Sequence, residues 1–212
     1  MKKIKSIYKI CTILMLCGCL NACFKPVNKY IDQETKDYCL FAEGSYWIYQ
    51  DSTTHAIDSV IINSIRYEIY HSEGDGSELE NYFTYLSLYS QDNMRNFRVS
   101  LGAHFSERNN SSSCRLYFDY DVIYHNGKIN ENSYEHRNTI LIDKKDNYSI
   151  NSVNYANVKV FKYSQSGSER LFYSAKHVGM IRNEIKFKSI YTGADTSIVK
   201  NLIKYNVNPY KQ

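Results

Sequence analysis

Proline is almost missing from this chain of 212 residues: the two that occur, Pro26 and Pro209, stand one near each end. Nothing between them interrupts a hydrogen-bonded ladder, which suits strands, although helices avoid proline too. Glycine is sparse, at nine residues, and forms no glycine-rich phosphate loop. No nucleophile elbow and no cysteine–histidine pairing can be read. The six histidines, His55, His71, His104, His125, His136 and His177, lack the close paired spacing of a zinc site. These absences speak against an enzyme and against a bound cofactor or metal.

A surplus of one charge is missing as well. The formal net charge of +4 comes from Lys2, Lys3, Lys5 and Lys9. Without residues 1–22 the chain has 22 basic and 22 acidic residues. A near-neutral body does not suit nucleic acid, whatever the overall pI implies.

What is present at the N-terminus has an order. Four lysines with no acid precede an apolar run from Ile10 to Leu20, and small and polar residues then lead to a cysteine. This is the layout of a secretory signal, and the run is about half of the ~20 residues needed to span a bilayer. Leu20, Asn21, Ala22 and Cys23 resemble a lipobox, which implies removal of residues 1–22 and acylation of Cys23. Leu16, Cys17, Gly18 and Cys19 fit the pattern more loosely. One acyl chain anchors only marginally, whereas the two or three implied by the resemblance hold a protein on a membrane.

The mature chain of 190 residues is expected to comprise a flexible tether over 23–43, polar and without periodicity, and one domain over 44–212. Of six cysteines, only Cys39 and Cys114 remain once the signal is removed and Cys23 is acylated. An even pair in an oxidising compartment suggests a disulfide. It would close a loop of roughly 75 residues and contribute about 4–5 kcal/mol in the chain-entropy model.

The body reads as strands. Tyrosine alone accounts for 21 residues, and aromatic residues for 15% of the chain, a composition that fits pleated surfaces. Ile65, Tyr67 and Ile69 alternate with Arg66 and Glu68; Ile181, Ile185 and Phe187 with Arg182, Glu184 and Lys186; Ile203, Tyr205 and Val207 with Lys204 and Asn206. Each alternation predicts one buried and one wet face. Strands are expected near 45–51, 57–70, 80–90, 94–101, 114–124, 138–143, 156–163, 169–176, 180–190 and 197–207. Glycines at 74, 76, 102, 127, 167 and 193 read as hairpin connections. Leu79, Tyr82, Phe83 and Leu86 also fit a helix face, but their neighbours are strand formers. So many antiparallel strands must curl to bury a face, predicting a curved sheet, half-barrel or barrel.

Two stretches, Gly44 to Ser52 followed by Asp58 to Val60, and Tyr173 to Ile185, resemble uncharacterised lipoproteins of the Bacteroidota. The resemblance implies an envelope location and no particular activity. Asp51-Ser52-Thr53 and Asp58-Ser59-Val60 resemble the O-glycosylation signal of that phylum, which implies Ser52 and Ser59 as acceptors. Phe24 to Lys29 contains no acidic residue, unlike the surface-export signal of the same group, so an outer-membrane position facing the periplasm is expected.

Within the first stretch, Trp47 and Tyr49 share one strand face, as core aromatics or as a surface on which a ligand stacks. Gly179 inside a strand pattern suggests a bulge or a close backbone approach. Asp119 and Asp121 share a predicted strand face with Arg115 and read as a solvated face before an acid pair. The resulting expectation is a lipid-anchored, non-catalytic envelope domain that presents a face or concavity to a protein, glycan or lipid. A lipid-handling half-barrel and an envelope hydrolase with carboxylates distant in sequence are the alternatives.

Overall fold

A computed structural model describes residues 30–71, 78–90, 101–106, 111–118, 120–125, 139–165, 168–188 and 193–210; side chains at 88, 90, 101–125 and 165 are not described. A short helix, α1 (Gln33–Cys39), precedes eleven strands. These are β1 (Tyr46–Asp51), β2 (Ile57–His71), β3 (Glu78–Ser90), β4 (Leu101–Ser106), β5 (Ser111–Phe118) and β6 (Tyr120–His125). Then come β7 (Thr139–Ile150), β8 (Val153–Gln165), β9 (Ser168–Ala175), β10 (Gly179–Lys188) and β11 (Asp195–Asn206). They form one sheet in the order β6-β5-β4-β3-β2-β1-β11-β10-β9-β8-β7. Each pairing is antiparallel. The expected curved antiparallel sheet is present and is not closed: β6 and β7 are its unpaired edges, with Cα atoms within 8 Å of each other.

The register assembles the core. Leu141, Phe161, Phe172 and Asn183 lie opposite one another across β7, β8, β9 and β10, and all four are buried. On β1 the buried residues are Trp47, Tyr49 and Asp51, while Tyr46, Ile48 and Gln50 face outward and are half-buried. The outer charges include Arg182 and Glu184, which pair along β10, and Lys200, which pairs with Asp58. β7 carries Asp143, Lys144 and Lys145 at the sheet edge, where charge discourages pairing with another chain.

Several boundaries differ from the sequence expectation. The strand expected over 114–124 is two strands, β5 and β6, paired as a tight hairpin in which Phe118 faces Tyr120; no glycine or proline marks the reversal. Gly102 lies inside β4, opposite Phe83 and Arg115, and not at a hairpin tip. The connection between β7 and β8 is instead made by Asn151 and Ser152, with φ of 49° and 67°. Two consecutive left-handed residues make a two-residue hairpin turn whose twist matches its strands, without glycine. A register shift at Ile48/Tyr49 puts Leu202 inside in place of Ile203, which is 44% exposed, while beyond it Tyr205 stands opposite Trp47 and Val207 packs on the core as expected.

The tether expected over 23–43 is folded from Tyr30 onward. Asp32 caps α1, its Oδ1 accepting from the Thr35 N–H at 2.7 Å and its Oδ2 from the Thr35 hydroxyl at 2.8 Å. Thr35, Tyr38, Cys39, Leu40 and Phe41 are all buried. Polar residues and absent periodicity concealed this element because it is only two turns long. It covers the concave face instead of linking to it.

Gly179 meets both halves of its expectation. Its φ is +85°, and a Cβ there would lie 3.1 Å from Phe41 Cε2 and 3.5 Å from Trp47 Nε1. The ladder between β9 and β10 shifts register just beyond it, between Met180 and Arg182. Gly179→Ala should lose about 1–3 kcal/mol, from left-handed backbone strain together with the displaced Phe41 ring. Urea unfolding of the two proteins measures it.

Candidate functional site

The strand ends near α1 converge on a cleft of about 220 Å³. Its walls are Gln33, Lys36 and Asp37 from α1, Leu40 and Phe41 after it, Tyr82 of β3, His177 of the β9–β10 turn, and Pro209 and Tyr210 beyond β11. The pieces are distant in sequence and are tied by specific bonds. A β-bridge joins Phe41 to Pro209, and the Ala42 N–H donates to the Asn208 carbonyl at 2.7 Å. The His177 N–H donates to the Asp37 carbonyl at 2.8 Å, with His177 held at a φ of 61°.

Polar groups in the cleft neutralise one another. Asp37 accepts from Gln33 Nε2 at 2.8 Å and is ion-paired to Lys176 at 3.1 Å, with His177 Nδ1 at 3.9 Å. Burial pushes its carboxyl up, but the Gln33 and Lys176 hydrogen bonds and the positive charges of His177 and Lys176 outweigh burial and hold it below the usual carboxylate range. Lys36 reaches Glu80, which is 2% exposed. The Glu80 carboxylate accepts from Lys36 Nζ at 2.9 Å, the Tyr82 hydroxyl at 2.7 Å and the Ile31 N–H at 2.7 Å. Tyr82 is pushed far up, first by burial and then by its bond to Glu80, and so stays a neutral phenol.

The aromatic walls are fixed in the same way. Tyr82 and Tyr210 meet edge to face at 5.4 Å, and Phe41 meets Trp47 edge to face at 5.3 Å. Behind them, Lys159 is buried, lies 4.7 Å over the Tyr38 ring and pairs with Glu34. Burial lowers its pKa more than Glu34 raises it. Tyr38 is pushed up to about 12, by burial first and then by the carboxylates of Glu34 and Asp37; its hydroxyl donates to the Asn157 carbonyl at 2.7 Å.

Because the folded Asp37 titrates below its ordinary value of 3.8, it contributes stability above that value, and the contribution is lost as pH falls through the folded pKa. Asp37→Asn should therefore lower stability at neutral pH and flatten the acid limb of the stability–pH curve below about pH 4. Denaturant melts at a series of pH values give both quantities.

The residues singled out from sequence lie elsewhere. Trp47 and Tyr49 are each 4% exposed. The indole N–H donates to the Val178 carbonyl at 2.6 Å and the Tyr49 hydroxyl to the Met180 carbonyl at 2.8 Å. No ligand stacks on them without opening the core, so they are packing residues and the aromatic ligand face proposed for them is corrected. Ser52 is exposed in the turn after β1, where Asp51 Oδ1 accepts from the N–H groups of Thr53 and Thr54, each at 2.8 Å. Ser59 is half-buried inside β2, between Ile48 and Tyr89 in register.

Cys39 is buried at the end of α1. Cys114 is placed by its backbone on β5, opposite Ala103 and Tyr124, and α1 comes within 8 Å of β5, Cα to Cα. Cys23 and Asp119 lie outside the described residues, and Asp121 and Arg115 are described in backbone only. Sequence reasoning missed Lys36, Asp37, Glu80 and Tyr210. The capping pattern from Asp32 to Thr35 was the one local signal that could have pointed to α1.

Among the described residues no cluster of three His, Cys, Asp or Glu is placed to hold a metal, and no helix is long and apolar enough to cross a membrane. The chain matches no family model and no curated protein. A crystal structure from Bacteroides fragilis, of a protein described as exported and of YmcC-like fold, is similar over 80% of this chain and 99% of its own, at 8% identity and a TM-score of 0.41.

Proposed function

We propose that this protein is a lipid-anchored, non-catalytic binding domain of the cell envelope, held on the periplasmic side of the outer membrane through Cys23, and that the cleft beside α1 takes an uncharged glycan. The cleft's chemistry carries the reading. Asp37 is balanced by Lys176 and Lys36 by Glu80, so an ionic ligand would have to displace partners already in place. Aromatic rings beside amide, carboxylate and imidazole groups suit a polyol, whose C–H faces pack on rings while hydroxyls take fixed hydrogen bonds.

The alternatives have less support. Asp37 is the one carboxylate lining this cleft among the described residues, and Glu80 is buried under three hydrogen bonds; a hydrolytic acid pair is not assembled here. A lipid-handling half-barrel needs an apolar hollow, whereas the concave face around Trp47, Val60, Phe161 and Phe172 is packed with Tyr38 and Phe41.

Titrating the mature protein with neutral oligosaccharides released from its own envelope, by calorimetry, tests the reading. Binding that Tyr210→Ala weakens at least about tenfold, or about 1.4 kcal/mol, supports it. No binding, or binding indifferent to Tyr210→Ala, rejects it. The Cys39–Cys114 disulfide belongs to the same proposal, and intact mass before and after reduction reads it directly.

A further inference from the structure

The β2–β3 ribbon runs beyond β1 after Ile61 and beyond the β4 pairing from Ile69 and Glu80 onward, and along it the alternation of Ile65, Tyr67 and Ile69 stops giving a buried face. Ile65 packs on the core, but Tyr67 is 39% exposed and Ile69 41%. On the opposite face of the same stretch Tyr70 is 45% exposed, its ring against Phe83 at 6.4 Å. Tyr67 leans on Tyr82, ring centroids 5.1 Å apart, yet the ribbon end keeps aromatic and aliphatic side chains exposed on both faces.

The chain's entry point lies at this ribbon. The Ile31 N–H donates to Glu80, and Glu80 stands directly opposite Ile69 in the β2–β3 register. Tyr30, one residue earlier, is 56% exposed. Ile31 stands eight positions beyond Cys23, a reach of at most about 29 Å when fully extended. An acylated Cys23 therefore cannot hold the domain far from the bilayer, and beside the entry point the domain exposes Tyr30, Tyr67 and Tyr70, while Tyr85 and Tyr89 are exposed further along β3.

We infer that the end of the β2–β3 ribbon, through Tyr30, Tyr67, Ile69 and Tyr70, is a membrane-contact surface that rests in the headgroup region beside the lipid anchor. The inference rests on the acylation of Cys23 proposed above. Tyrosine suits that depth because its ring prefers the acyl boundary while its hydroxyl stays hydrated. The exposed Arg66, beside Phe83 and Glu68, can reach lipid phosphates from the same ribbon. The contact adds to the acyl chains and sets orientation: the α1 cleft, built partly on Tyr82 of the same ribbon, would open close to the membrane surface, while the β1–β2 turn at Thr53 points away from it.

The test uses the full mature lipoprotein in phosphatidylethanolamine–phosphatidylglycerol vesicles whose acyl chains are brominated, which quenches nearby tryptophan. Trp47, the single native tryptophan, is buried and reports the fold. Tyr70→Trp should show added emission that is largely quenched, and Thr53→Trp added emission that is not. Equal quenching at both positions, or none at either in protein that carries acyl chains, overturns the contact surface and leaves the anchor standing. Intact mass showing an unacylated Cys23 overturns both. Sedimentation showing a dimer in which Tyr70→Trp is shielded from bromolipid assigns the surface to a second copy and overturns the membrane contact.

Discussion

Glu80→Ala is expected to lower stability by about 3–5 kcal/mol, the range found when one partner of a buried charged pair is removed. The buried carboxylate is a junction between three separate pieces of chain: the Ile31 N–H at the domain entry, Lys36 on α1, and Tyr82 on its own strand. Alanine leaves the peptide N–H and the hydroxyl without their acceptor, and leaves the Lys36 ammonium, 21% exposed, without its counter-charge. The entry segment and α1 should loosen together, since their tie to β3 runs through this group. Glu80→Gln should cost less, because the amide oxygen still accepts while the charge is lost. Thermal melts of the two variants, with hydrogen exchange over residues 31–39, separate the charge from the hydrogen bonds. Alanine and glutamine variants of equal, near-native stability would show that the junction contributes little.

Trp47→Ala is expected to cost a similar 3–5 kcal/mol, as large-to-small changes of buried aromatics do. The ring packs edge to face on Phe41, and its N–H satisfies the Val178 carbonyl in the turn that carries His177. Removal therefore opens a cavity beneath the cleft and frees one of its walls. Trp47→Phe should recover much of the packing but not the hydrogen bond, whose loss costs about 1–3 kcal/mol when the carbonyl stays buried. A glycan-binding cleft predicts that Trp47→Phe also weakens binding, because the His177 turn loses its tether. Binding and stability measured on the same samples decide whether the turn matters beyond folding.

These predictions concern residues that local pattern treated very unevenly. Trp47 was conspicuous as an aromatic in a period-two strand, and its strand face was readable. Glu80 reads as one polar residue at a strand start, and its burial depends on Ile31 and Lys36 arriving from 49 and 44 positions away. The inward parity of β1, and of β10 from Ile181 onward, could be read because inward and outward residues alternate there in strict turn. In β11 it could not, since the bulge that inverts Leu202 and Ile203 arises from pairing with β1. In β2 the pattern continues past the point where β1 ends, so Tyr67 and Ile69 look like core residues and are not.

The strand-rich class, the antiparallel pairing and the near-neutral character of the body follow from composition and short-range alternation, which are properties of single segments. The cleft, the folding of residues 30–41 against the sheet and the exposed ribbon end follow from which distant segments meet. Alternation says that a strand has an inside. It does not say what stands there, because that depends on curvature and register accumulated over eleven strands, and here α1 and the residues after it fill the concave face.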